Sequence, residues 1–401
     1  MKTFRLKSGL TIISEERPSK SVSMEVTAKV GSVDEDKKTA GISHFIEHML
    51  FEGTKNRTAR EIANEIESIG GEINAATSAE RTSYYITVLK KHFGKALAVL
   101  ADMVENPLFD RKTLEKERKV VLDEVNFVTD DPKMHQWVLF QQSLFKSHPC
   151  RNPIYGTRES IRAVTREGMA DFYRRYYKPS NMIITVVGNV KNAVPKIEKA
   201  FSLKGTHSEK PKKPAEPKLA KSIEVLEKRQ ILQSYFILGW KAVPRKHKDS
   251  YVFDVIKSIL GRGQSSALFN EIRTKRGLAY SLGAYYEGGT DYGWFAVYVG
   301  ADRKNLKLIR RIIMKEIRLL AKVPDSELRD AKNFIEGNYT LTNEDNHSFA
   351  DMLAVCAMMD DAMLAKEYTK RVMKVTKKDV ARVARQCLKD NFCAVTIMQG
   401  K

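Results

Sequence analysis

A length of 401 residues suggests two domains or more, and 42% hydrophobic side chains is enough to bury real cores, so the chain is globular. Its formal charge of +20 raises a nucleic-acid or anionic-membrane partner. Neither is expected: lysines and arginines are spread along the chain, no nucleic-acid motif occurs, and the densest run, KGTHSEKPKKPAEPKLAKS, reads as a charged linker.

At the N-terminus, MKTFRLKSGLTIISEE alternates as a strand does and lacks the apolar core of a signal peptide. No apolar run anywhere approaches the ~18 residues of a membrane span. Cys150, Cys356, Cys387 and Cys393 form no C-x-x-C pair and fit structural thiols in a reducing compartment. A soluble, cytoplasmic protein is expected.

GISHFIEHMLFEG, at residues 41 to 53, places two of the chain's eight histidines one helical turn apart. In a helix, His44, Glu47 and His48 share an arc of about 100°. Phe45, Ile46, Met49 and Leu50 fall on the opposite side. NRTAREIANEIESIGG follows, with Thr58 and Glu61 as a capping box and Gly70-Gly71 as a stop. EINAATS and RTSYYITVL then alternate as two strands joined by a short turn. From Asp110, DRKTLEKERKVVLDEVNFVTDDP reads as a long helix ending before Pro132.

Residues 204 to 222, with Pro211, Pro214 and Pro217, look like a domain boundary. They divide the chain into an N-terminal domain 1–204, a linker 205–220 and a C-terminal domain 221–401. Across this boundary lies a faint repeat at an offset of about 210 residues. GGEINAATSAERTSYYITVLKKHFGKALAVLADMV and LAYSLGAYYEGGTDYGWFAVYVGADRKNLKLIRRIIMKEI both read strand, turn, strand, helix. The helix upstream of the second copy, SYVFDVIKSILG, has Asp254 and Lys257 but no histidine. The expected fold is α+β: two related domains, each a mostly antiparallel sheet with helices packed on it, only the first carrying a metal.

H-x-x-E-H at positions 44 to 48 is the inverted zincin pattern, in which two neutral imidazoles bind Zn²⁺ and the carboxylate activates a water. A catalytic zinc needs a third protein ligand. On the long helix, Glu117 and Glu124 lie two turns apart on nearly one face, flanked by Leu114, Val120, Val121 and Val128. A carboxylate on an apolar surface is costly unless a cation partners it. Glu124 is therefore read as the third ligand, and Glu117 as support for a histidine ligand or the water. His92, His135, His207, His247 and His347 fall in no ligand spacing and read as surface or packing residues.

These residues make the chain resemble the pitrilysin/insulinase metallopeptidases, or inverzincins, over nearly its whole length. The family includes the mitochondrial processing peptidase and small prokaryotic homologues. GISHFIEHMLFEGT is similar to the family's zinc helix, and Glu124 follows His48 by 76 residues (124 − 48), as the distal glutamate ligand does. GGEINAATS resembles the strand beside bound peptide, and DDP, His148-Pro149 and Gly156-Thr157 recur in the usual order. GQSSALFNEIRTKRGLAYSLGAYY resembles the glycine-rich turn and the Arg/Tyr segment, with Arg262 where glycine is common.

The resemblance implies a zinc endopeptidase acting on peptides, with one zinc per chain on His44, His48 and Glu124 and Glu47 as general base. Arg273 and Tyr280 are implied to hold substrate and the oxyanion, and Asn74, Ala75 and Ala76 to offer a strand edge to the peptide. It also implies half of a clamshell, completed by a second copy as a homodimer, since longer insulinase-type chains resemble two such halves joined.

Overall fold

The structure, a computed structural model, describes residues 1–205, 213–389 and 391–400. Part of the segment read as a linker, residues 206–212, lies outside the described residues, as does His207. The fold is α+β and contains two compact units, each drawn from three stretches of chain. One comprises Met1–Phe127, Asn152–Lys213 and Thr342–Ala365; the other comprises Val128–Arg151, Pro214–Leu341 and Lys366–Lys401.

The first unit is built on a six-stranded sheet of β1 (Lys2–Arg5), β2 (Thr11–Glu16), β3 (Ser21–Ala28), β4 (Glu72–Thr77), β5 (Thr82–Leu89) and β6 (Met182–Gly188). Its order is β1-β2-β6-β3-β5-β4, antiparallel except between β2 and β6. The N-terminal alternation thus forms two strands rather than one, because a tight turn at Leu6 to Leu10 folds β1 back onto β2. Along β3, Val22, Met24, Val26 and Ala28 enter the main core, while Ser23, Glu25 and Thr27 are buried on the other face. On that second face Ile13, Ile183 and Val187 pack with Phe349 and Leu353 of the helix Asn346–Met358.

The second unit holds β7 (Ile223–Arg229), β8 (Ser234–Lys241), β9 (Ala279–Gly288), β10 (Gly293–Ala301) and β11 (Cys393–Gln399), in the order β7-β11-β8-β10-β9. With β1 set aside, both sheets run first, fifth, second, fourth, third in chain order, and in both the first and fifth strands are parallel. The faint repeat in the sequence is therefore a repeat of topology. Trp240, Phe295 and Val297 form part of the second core with Phe253, Ile256 and Leu260 of the helix Ser250–Gly261. Gly239 on β8 leaves room for Phe140: a Cβ there would sit 2.4 Å from the Phe140 ring.

The first four α-helices are α1 (Ile42–Phe51), α2 (Ala59–Glu67), α3 (Phe93–Glu105) and α4 (Arg111–Asp130), of which α1 and α4 carry site residues. α2 begins at Thr58, which accepts from the Glu61 N–H while the Glu61 carboxylate accepts from the Thr58 N–H at 2.8 Å, the expected capping box. α1 starts differently. Its N-cap is Gly41, with φ +86°, where a Cβ would lie 2.7 Å from the Tyr155 carbonyl. The buried carboxylate of Glu35 accepts the free N–H groups of Gly41 at 2.7 Å and Ser43 at 2.8 Å, taking the place of a side-chain cap.

Burial pushes the Glu35 carboxyl up to about 7, only partly offset by the Ser43 and Gly41 donors. With the folded value above the ordinary 4.5, the stability this group contributes is full below about pH 4.5 and is lost as pH rises to about 7. Glu35→Gln should therefore flatten the fall in thermal midpoint over that window in metal-free protein. A pH dependence identical to that of the unmodified chain would contradict this account.

Candidate metal centre

The face of α1 that carries the two histidines is not solvated. His44 is buried and His48 half-buried, while Phe45, Ile46, Met49 and Leu50 fill the main core behind them. α4 runs past this face. Leu114 and Val121 anchor it in the core, whereas Val120, expected among the apolar flank, is exposed because it turns to the far side of the helix.

Glu124 brings one oxygen, Oε2, to within 3.2 Å of His44 Nε2 and 3.6 Å of His48 Nε2. The ligand atoms of the three residues lie within 4.8 Å of one another, and among the described residues no other trio of His, Cys, Asp or Glu converges in this way. Two ligands of a tetrahedral zinc, each about 2.0–2.1 Å from the ion, stand about 3.3 Å apart. The two nitrogen-to-oxygen separations match that spacing. Glu117 is buried, and its Oε2 lies 3.4 Å from His48 Nδ1. That contact suits an Nδ1–H tautomer of His48, which leaves the Nε2 lone pair directed at Glu124. Among the described residues His44 Nδ1 is buried without a hydrogen-bond partner, and the imidazole's polar contact also runs through Nε2. The donor set, two imidazoles and one carboxylate, fits zinc with a coordination position left open.

Glu47 projects beside this group and accepts a hydrogen bond from the Thr77 hydroxyl at the end of β4. Thr77 carried no motif, yet it was legible in principle. β4 alternates, with Ile73, Ala75 and Thr77 partly buried and Glu72, Asn74 and Ala76 exposed, which marks Thr77 as inward-facing. Tyr155, also unmarked by any spacing, sets its ring edge-on to His44 with centroids 4.8 Å apart.

The electrostatics separate the groups. Burial lowers His44 to about 4, helped by the neighbouring His48 and opposed by Glu124. Burial acts on His48 in the same direction, but Glu124, Glu117 and Glu47 outweigh it and raise that imidazole. Burial raises Glu47 despite the Thr77 hydrogen bond and the charge of His48. Glu124 is lowered by its contact with His48, against partial burial. Burial raises the Tyr155 phenol, as do the charges of Glu124 and Glu47.

Asn74, Ala75 and Ala76 lie on β4, the last strand of its sheet, paired on one side with Tyr85, Tyr84 and Ser83 of β5. The Asn74 side chain accepts the Ala75 N–H at 2.8 Å. In the second unit, Arg273 lies in a wide π-helical turn, Phe269–Thr274, with its guanidinium over the Phe269 ring. Its Nη1 donates to the Tyr280 carbonyl at 2.8 Å, and the Tyr280 side chain is exposed. Of the remaining histidines, His148 is buried with Nε2 3.1 Å from Asp291, His135 lies 3.2 Å from Glu227, and His347 stacks on Tyr85.

Comparison with known proteins defines the class. The family profile described as "Insulinase (Peptidase family M16)" matches residues 11–158, and that described as "Peptidase M16 inactive domain" matches residues 163–335. An "uncharacterized zinc protease" of Streptomyces coelicolor is 31% identical over 396 residues, covering 96% of this chain and 86% of its own. A likewise named protein of Bacillus subtilis is 33% identical over 357 residues, 87% of this chain and 86% of its own. The crystal structure of a protease from Helicobacter pylori matches with a TM-score of 0.94 at 25% identity, covering 99% of both chains. A Pseudomonas fluorescens structure described as a peptidase M16 inactive domain shares the fold, with a TM-score of 0.90 at 20% identity, 100% of this chain and 98% of that one. Both sheets and the two-part sequence match are those of a metalloprotease. The chain belongs to the insulinase family, peptidase family M16, in its small two-domain form.

Imidazole titration by NMR in the metal-free protein should resolve the two histidines of α1. His44 should stay neutral until the pH falls to about 4, while His48 should protonate above the ordinary 6.5. The reverse order would show that Glu117 and Glu124 do not act on His48 as described.

Proposed function

We propose that the chain is a zinc-dependent endopeptidase hydrolysing peptides or unfolded polypeptides. One zinc per chain is held by His44, His48 and Glu124, and Glu47 is the general base. The observation that carries this reading is the convergence of His44 Nε2 and His48 Nε2 on one oxygen of Glu124 beside a carboxylate held by Thr77. The relatives' printed name, zinc protease, supports the choice of metal.

When bound, zinc supplies Lewis acidity to a water and to the scissile carbonyl. Glu47, raised by burial, is suited to accept a proton from that water and return it to the leaving amine. Thr77 holds the Glu47 carboxylate in place while it waits, and Glu117 fixes the His48 ring through Nδ1. The free edge of β4 at Asn74 to Ala76 is suited to an extended peptide adding as a further strand, which gives affinity with little demand on sequence. Arg273 and Tyr280, both exposed, are assigned to substrate and oxyanion.

The reading includes a sequence boundary at 205–220 between a metal-binding half and a half without ligands. It includes a cytoplasmic setting, supported by four free thiols. No described helix is long and apolar enough to cross a membrane. It also includes a homodimer in which two chains face each other as a clamshell and enclose two equivalent sites.

Glu47→Gln should retain zinc while losing at least about 10²-fold in kcat, because the amide fits but accepts no proton. His48→Ala should lose the metal, and Glu117→Gln should weaken its binding by about 10–100-fold. Metal analysis beside peptide-cleavage kinetics reads all three. Full turnover by metal-free protein, or by Glu47→Gln, would end this reading.

If the donors act across the dimer, mixing inactive Glu47→Gln with inactive Tyr280→Phe chains should restore activity. A monomer by light scattering that still cleaves peptide would refute the dimer.

A further inference from the structure

Apart from the metal group, the second unit contains a cleft of about 280 Å³. One wall is the face of the helix Ser250–Gly261 that presents Asp254 and Lys257, continued by its C-cap residue Arg262. The facing wall is Phe334, Ile335, Asn338 and Tyr339 of the helix Asp325–Thr342, and Tyr368 also lines the cleft. Three of these positions stand out in the sequence: Asp254 and Lys257, on the helix where the second repeat has no histidine, and Arg262, where the family's turn commonly has glycine.

The charges in this lining do not cancel. Asp254 is taken up by Arg245, whose Nη1 donates to it at 2.7 Å and whose guanidinium lies over the Tyr368 ring. Lys257 rests over the Tyr285 ring, 5.3 Å from its centroid, and among the described residues neither Lys257 nor Arg262 forms an ion pair. Arg262 Nη2 makes a long contact, 3.4 Å, with the Ser265 carbonyl, and Nη1 is buried with no hydrogen-bond partner among the described residues. Arg262 and Lys257 both line the cleft with no acidic partner among the described residues, so an anion entering it would meet two uncompensated positive charges. The planar fork of Arg262 matches a carboxylate, and Lys257 adds a second charge five residues before it. The walls of Tyr339 and Tyr368 suit an apolar or aromatic group attached to that carboxylate.

We propose that this cleft binds a carboxylate carried on an apolar or aromatic group, its occupant being the free C-terminal residue of a peptide. The choice of occupant rests on the peptidase reading. The recognition does not involve the metal, so its test can fail while the zinc site stands.

The test is isothermal titration calorimetry of the full chain with N-acetyl-phenylalanine, its amide and phenylpropionate. The acid should bind, and the amide should bind at least about tenfold more weakly. Arg262→Gln and Lys257→Gln should each weaken the acid by about tenfold while leaving the thermal midpoint near that of the unmodified chain. Should one variant fail to fold, the other carries the comparison. Phenylpropionate should bind more weakly than the acetylated residue; equal binding would overturn the peptide terminus as occupant. Equal affinity for acid and amide, no binding of the acid, or indifference to either substitution in a folded variant would overturn the site.

Discussion

The first unit depends on how one helix keeps polar side chains out of water. α1 presents His44, Glu47 and His48 from a body whose other face is core, and a buried ionisable group must be partnered, neutralised or metal-bound. The partners come from three other parts of the chain: Glu117 and Glu124 from α4, Thr77 from β4 and the ring of Tyr155 from the segment before Gly156. The start of α1 is itself fixed by a buried carboxylate, Glu35, acting on two backbone N–H groups. Moving any of these elements would leave a charge or donor buried alone. The site is therefore as rigid as the packing of four separate segments can make it.

The two units show what becomes of one topology under different demands. Both sheets share a strand order, and in each a helix in the same place packs on the sheet. In the first, that helix carries imidazoles opposed by a glutamate. In the second it carries Asp254, neutralised by Arg245, and Lys257 over an aromatic ring. The repeated scaffold is a way to bury a core, and the chemistry lies in the few side chains placed on it.

Much of this could be read from sequence, for physical reasons that differ by element. The capping box at Thr58 and the period of α1 are local, set by bonds within one turn, and both are present in the structure. Glu124 could be read because a carboxylate on an apolar helix face needs an explanation, although exposed Val120 shows that the flank was narrower than it looked. The break between β1 and β2 was missed because alternation continues through the turn. The pairing of helices with sheets was not legible for Asn346–Met358, which packs on a sheet formed more than 150 residues earlier (346 − 188). An apolar stripe says that a face is buried, and not against what. Tyr155 touches the site, and Glu35 fixes the start of α1, through contacts that no spacing encodes, so only the folded chain reveals them.

The central claim is that two imidazoles of α1 and one carboxylate of α4 hold a single zinc. X-ray absorption of the protein carrying one equivalent of zinc tests it most directly, because it separates sulfur from nitrogen or oxygen neighbours and multiple scattering reveals imidazole rings. The account predicts two imidazoles and light-atom neighbours at about 2.0–2.2 Å, and loss of the bound zinc in His48→Ala. A sulfur shell at about 2.3 Å, or one equivalent of zinc retained with two imidazoles in His48→Ala, would contradict it.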